Sequence, residues 1–166
     1  YNNQITSKEK ATENFIEMFD VVPDGDLTFN NYIAKTAFVG ERTILNGNRL
    51  SFLEPLEATS AGFYWSVGQF TFDYVFGDAD KKIVDQNIRN EMKKIETFVL
   101  WHYQNGSKYD TEFWRYAKSL PFEPDQDFNQ LIQESKKSYE ELYKETEEIH
   151  FSQWSPFSFK SWNENI

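Results

Sequence analysis

A mainly helical fold with a small β piece is what this sequence predicts, on three observations. Apolar residues from Val84 to His102 recur at three- and four-residue steps. The segment 58–77 is apolar nearly all round, the pattern of an enclosed helix. β-Branched and aromatic runs short enough to be strands cluster near residues 29–46. About five helices and two short strands result, in a single compact unit of 166 residues, a size that supports a sizeable core. Aromatic residues make up 18% of the chain, so rings fill much of that core.

The elements follow in order. "ITSKEKATENFIEMFD" opens with a Thr6-x-x-Glu9 capping box, and Phe15, Ile16, Met18 and Phe19 crowd one side of a helix over 7–19. "VVPDGD" is a turn, because Pro23 fixes its φ and Asp24-Gly25 tolerates left-handed geometry. "TFNNYIAKTAFV" and "ERTILNG", divided by Gly40, read as two strands and suggest a hairpin. The aromatic helix follows and ends at Gly77-Asp78. A long amphipathic helix starts at Asp80, carries Val84, Ile88, Met92, Ile95, Val99 and His102 inward, and stops at "QNGS". Asp110 is placed to cap "TEFWRYAKSL", which Pro121 closes. One further helix covers "PDQDFNQLIQESKKSYEELYKE", with Phe128, Leu131, Tyr139 and Leu142 inward. "IHFSQWSPFSFKSWNENI" is aromatic and Ser-rich without clear period.

Charge and composition exclude several function classes. The net charge is −10 and the 17 basic residues are scattered, which leaves no electrostatic footprint for nucleic acid. Without cysteine there is no disulfide and no thiolate chemistry, and His150 has no partner at metal-ligand spacing, so no metal is expected. No apolar run approaches membrane-spanning length and no signal pattern opens the chain, so a cytoplasmic protein is expected. Neither GxGxxG nor GxxxxGK[ST] occurs, so the chain has no phosphate cradle of its own. Residue 1 is Tyr and the chain stops at "SWNENI", which suggests a piece of something longer.

The stretch with most chemistry is "NGNRLSFLEPLEATSAGFYW", residues 46–65. Pro55 biases Glu54 away from helical dihedrals, so the strand exits extended and then turns. Glu57 stands just before Thr59 and Ser60, either of which suits the cap of the aromatic helix. A helix start offers unpaired N–H groups and partial positive charge to an anion. Two readings compete: a carboxylate beside an anion pocket, or an acid that only complements the helix dipole. Spacing alone does not choose between them.

"GNRLSFLEPLEATS" resembles the strand-to-helix turn of the flavin-dependent tryptophan halogenases, where the pattern is close to FxEPLE(S/A)T. "YNNQITSKEKATENFIEMFDV" upstream and "IETFVLWHYQNGSKYDTEFWR" downstream resemble family segments in the family's order, so the likeness covers most of residues 1–120. The resemblance implies a C-terminal part of a larger flavin monooxygenase-like fold. Residues 1–58 would form a strand and turn region ending in FLEPLE, and residues 59–166 a helical, substrate-side region. It makes Glu57 the active-site glutamate, Thr59 and Ser60 the halide site, and Asn46, Gly47, Asn48 and Arg49 the turn along the flavin. Ser60 stands where tryptophan-specific members often have Gly. Reduced FAD, a halide ion, a small aromatic substrate of indole type and a flavin reductase are the implied cofactors and partners. Trp154 and Phe157, in the last aromatic stretch, would face the substrate, although rings fill cores far more often than they sandwich ligands.

The family's dinucleotide fingerprint, Trp-x-Trp-x-Ile-Pro signature and catalytic lysine have no counterpart here, and Lys35 is not that lysine by position or motif. By itself the chain is therefore expected to be inactive. A standalone helical binding module without redox activity, or a related flavin monooxygenase, are the rival readings. Rings left uncovered at the edge of such a portion would pair two copies through an apolar surface. His102 reads as a core histidine with a satisfied ring nitrogen.

Overall fold

A computed structural model describes residues 2–28, 30–53, 59–105, 107–146 and 154–165. Among them are seven α-helices and four two-residue strands: α1 (Lys8–Phe19), β1 (Tyr32–Ile33), β2 (Phe38–Val39), β3 (Thr43–Ile44), β4 (Ser51–Phe52), α2 (Thr59–Phe76), α3 (Lys81–Asn105), α4 (Glu112–Ser119), α5 (Gln126–Glu134), α6 (Tyr139–Thr146) and α7 (Pro156–Asn165). The mainly helical class holds; the count of five helices and two strands was too low.

α3 is the spine. Asp80 accepts the amides of Lys82 at 2.8 Å and Ile83 at 3.3 Å, which satisfies donors that the helix start leaves open. Its expected stripe is buried: Val84, Ile88, Met92, Ile95 and Val99 pack with Phe63 and Val67 of α2 and with Ala37, Phe38 and Leu50 of the β region. Phe98 and Trp101, on a flank roughly a quarter turn away, bury a second cluster with Phe128 of α5 and Phe159 of α7. The single stripe read from the sequence understated this helix, which buries two faces.

The β region is tied to the head of α3 by charge. β2 and β3 form the expected hairpin about Gly40, whose φ of +65° is a conformation that side chains resist. Lys81 donates to the Gly40 carbonyl and the Glu41 carboxylate, each at 2.9 Å, and lies 5.2 Å from the Phe38 ring centroid. Asp85 accepts the Thr36 hydroxyl at 2.8 Å and the Ala37 amide at 2.7 Å. β1 pairs instead with β4, a non-local antiparallel contact that sets Ile33 opposite Ser51.

Two expected caps fall elsewhere. α1 is capped by Ser7, whose hydroxyl accepts the Lys10 amide at 3.3 Å, so the box read at Thr6 is shifted by one residue. Asp110 does not cap α4; its carboxylate pairs with Arg115 at 2.9 Å and the cap position is Thr111. Asp110 thus stands one residue before the cap position.

The extra helices have local causes. The predicted helix over 124–145 is two helices, because Ser138 and Glu141 form a reciprocal capping box: the Ser138 hydroxyl accepts the Glu141 amide at 3.2 Å and the Glu141 carboxylate accepts the Ser138 amide at 2.7 Å. The stretch without period contains α7, where Ser155 accepts the Ser158 amide at 3.2 Å and Pro156 takes the first helical position. α1 buries no side chain, and Met18 and Phe19 are exposed rather than inward. On α2 only one face is covered, by α3 and the β region, while Trp65, Phe72 and Phe76 face outward. Among the described residues, no helix is long and apolar enough to cross a membrane.

Phe98 touches Trp101, His102, Trp154, Phe159 and Trp162 and is fully buried. Phe98→Ala is expected to lower unfolding free energy by about 3–5 kcal/mol, read by urea denaturation. Hydrogen bonds from the Ser138 amide and hydroxyl hold the Glu141 carboxyl below the ordinary carboxylate range. A depressed folded value means that the α6 cap stabilises above the unfolded value and is lost as pH falls through the folded one. NMR titration should therefore find Glu141 ionising below its ordinary range, and returning toward it in Ser138→Ala.

Candidate functional site

The candidates for the flavin and halide sites lie in the turn before β4 and at the start of α2. Asn46 opens a single 3-10 turn, Gly47–Arg49, by accepting the Gly47 amide on its own Oδ1 at 2.7 Å. Gly47 has φ +59°, and a Cβ built there would meet nothing within 4 Å, so backbone conformation rather than crowding calls for glycine. The turn closes when the Leu50 amide donates to the Gly47 carbonyl at 2.9 Å. Leu50 is fully buried and its carbonyl accepts the Ala34 amide at 2.8 Å, which fixes the turn to the β region. Asn46, Asn48 and Arg49 remain exposed, and the Asn48 amide and Arg49 guanidinium donors are available on one turn.

Leu53 marks the exit from β4. It packs against the first cluster, and a cavity of about 130 Å³ lies between Asn48, Leu53, Phe63, Tyr64 and Met92. A larger cleft of about 330 Å³ opens on the other side of Leu53, lined among others by Tyr103, Phe113, Tyr116 and Leu120. The sequence reading missed this aromatic cleft, since its residues come from α3, α4 and the N-terminal region and only the folded chain brings them together.

Glu54 and Glu57 lie outside the described residues, as does His150. α2 begins at Thr59, directly after that segment, and its first turn carries no acidic residue. The partial positive charge of this helix start is therefore not offset from within the helix. The side chains of Thr59 and Ser60 are outside the described set; their backbone is helical.

Phe157 is buried and Trp154 half-buried. The Trp154 indole N–H donates to the Glu91 carboxylate at 2.7 Å, and its ring packs against both clusters. Phe157 is 1% exposed and stacks on Tyr139 at 6.3 Å. His102 sits half-buried beside Phe98 with Nδ1 3.0 Å from the Phe98 carbonyl, so that nitrogen carries the proton, as a core histidine requires. The turn 46–49 and the start of α2 are brought together by Tyr64: its hydroxyl donates to Asn48 Oδ1 at 3.0 Å and its carbonyl accepts Asn46 Nδ2 at 3.4 Å. Nothing in the sequence pattern marked Tyr64, because its partners are 16 and 18 residues away.

Known proteins give this arrangement a family. The tryptophan halogenase family profile matches residues 1–163. The tryptophan 7-halogenase KtzQ of Kutzneria sp. (strain 744) is 31% identical over 133 residues, covering 74% of this chain and 24% of that protein. The tryptophan 6-halogenase SttH of Streptomyces toxytricini shares the fold with a TM-score of 0.66 at 18% identity, over 98% of this chain and 32% of that one. Tar14, a tryptophan C-6 flavin-dependent halogenase (chlorinase) from taromycin biosynthesis, gives a TM-score of 0.66 at 18% identity, over 98% and 34%. This chain thus spans about a quarter of the curated relative and a third of each of the two solved structures. With a family match across nearly its whole length, the chain belongs to the tryptophan halogenase family.

Proposed function

We propose that this chain is the C-terminal portion of a flavin-dependent halogenase acting on tryptophan or another electron-rich, indole-like ring. The observation that carries the reading is the start of α2 at Thr59, immediately after the FLEPLE stretch. In this reading Glu57 is the catalytic carboxylate, and the amides of Thr59 and Ser60 bind the halide. Backbone donors in a helix's first turn suit a small anion whatever side chains they carry, so Ser in place of Gly at position 60 leaves the donors in place.

The 46–49 turn suits the edge of a flavin. Gly47 leaves open space above the backbone, and Asn48 and Arg49 present donors toward solvent. It does not suit the cofactor's pyrophosphate, since a glycine-rich cradle is missing from these residues. When bound, reduced flavin with oxygen supplies the oxidising equivalent that turns halide into hypohalous acid; a flavin reductase would renew it. The part played by this chain is to hold the halide at the start of α2, and to orient and polarise the halogenating species through the Glu57 carboxylate. Residues 1–58 serve the cofactor side and 59–166 the substrate side. Trp154 and Phe157 act on the substrate side from within, by fixing the start of α7 against Glu91 and Tyr139.

The outward face of α2 supports the view that this chain works as part of a larger body. Trp65, Phe72 and Phe76 are 72%, 61% and 75% exposed, an apolar stripe of the kind that marks a contact surface.

Glu57→Gln changes charge and hardly changes shape. In a polypeptide of full halogenase length carrying this sequence, it should lower halogenation by about 10²- to 10⁴-fold while FAD absorbance is retained. Turnover equal to the parent would refute the role given to Glu57.

A further inference from the structure

We propose that Tyr64 is a positioning residue that keeps the 46–49 turn in register with the start of α2. The inference rests on the reading above, in which that turn meets the flavin and α2 meets the halide.

Two hydrogen bonds tie Tyr64 to the turn from different atoms. Its hydroxyl donates to Asn48 Oδ1 at 3.0 Å, and its main-chain carbonyl accepts Asn46 Nδ2 at the longer distance of 3.4 Å. Asn46 is itself locked, because its Oδ1 accepts the Gly47 amide at 2.7 Å. The two asparagines flank Gly47, so both sides of the one left-handed residue are held to the same tyrosine. Tyr64 lies five residues inside α2, only about 7.5 Å along the axis from Thr59.

Packing does not supply this register at the middle of the turn. Beneath the turn lies the cavity of about 130 Å³ bordered by Asn48, Phe63 and Tyr64, so the turn is not wedged there against the core. Leu50 anchors its far end in the core, Leu45 packs against the same cluster at its near end and donates its amide to the Ala37 carbonyl at 2.7 Å, and the polar ties act on the residues between them. Between two packed ends, the asparagine side chains take their placement against α2 from those bonds and shift when the bonds go. Asn48 and Arg49 would then move relative to the helix start, and flavin and halide would be bound by parts no longer in register.

The test uses Tyr64→Phe, which removes the hydroxyl and keeps the ring, with Asn48→Ala and the double variant, in a polypeptide of full halogenase length carrying this sequence. FAD dissociation constants and chloride KM are read together with melting temperature. Tyr64→Phe should weaken FAD and raise chloride KM by about two- to tenfold each, with a smaller effect on kcat. The double variant should bind FAD no worse than Asn48→Ala alone, because both substitutions remove one bond. Tyr109→Phe, at an exposed tyrosine far along the chain, serves as the control that alters neither constant. If Asn48→Ala weakens FAD while Tyr64→Phe does not, or if the two losses simply add, the coupling is refuted. If neither substitution affects FAD, the assignment of the turn to the flavin is refuted, and the inference with it.

Discussion

The fold depends on α3 burying two faces at once. At 25 residues it runs about 37 Å, long enough to serve two clusters end to end. The aliphatic stripe from Val84 to Val99 is the face on which α2 and the β region rest. The second half of α3 turns a flank of rings toward α5 and α7. Trp154 stands where the two meet, packing against both while its indole N–H is held by Glu91 from the same helix. Without that helix neither the turn at 46–49 nor the start of α2 would have a fixed place, since Leu50 behind the turn and Phe63 and Val67 of α2 share one cluster with its stripe.

The β region illustrates how four two-residue strands become rigid. Such short strands contribute few ladder bonds, and isolated hairpins of that size are marginal in water. Here side chains of α3 supply what the ladders lack. Asp85 accepts the donors at the entry to β2, and Lys81 holds the hairpin turn. Ala37 is fully buried, so its amide needs the Asp85 oxygen, and an unmet donor there would cost about 1–3 kcal/mol. The pairing of β1 with β4 then carries the same rigidity forward to Leu50 and Leu53, the last described residues before FLEPLE's acids.

Much of this was legible in the sequence, and the misses follow a pattern. Periodicity identified α3, α2 and the hairpin about Gly40, because each announces itself over neighbouring residues. The Ser138-x-x-Glu141 box and the Ser155-Pro156 pair were equally local signals, and they went unread beneath longer runs that looked continuous or aperiodic. The β1–β4 pairing, the aromatic cleft and the role of Tyr64 were not legible, since each joins residues far apart in the chain. For the site itself, the sequence named Asn46–Arg49 and the start of α2 through a resemblance, whereas the geometry relating them came only from the fold.

The apolar faces show where pattern reading stops in principle. Phe15, Ile16, Met18 and Phe19 on α1, and Trp65, Phe72 and Phe76 on α2, carry the same chemistry as the rings that are buried on α3. A hydrophobic period says that a face prefers to leave water; it does not say which surface receives it. Phe63 and Val67 find α3, and Trp65, two residues from each, finds nothing among the described residues. The alternation along α2 between enclosed and open rings therefore divides the helix by partner rather than by residue type. A helix with one face on its own core and an equally apolar face outward is built to lie between two bodies.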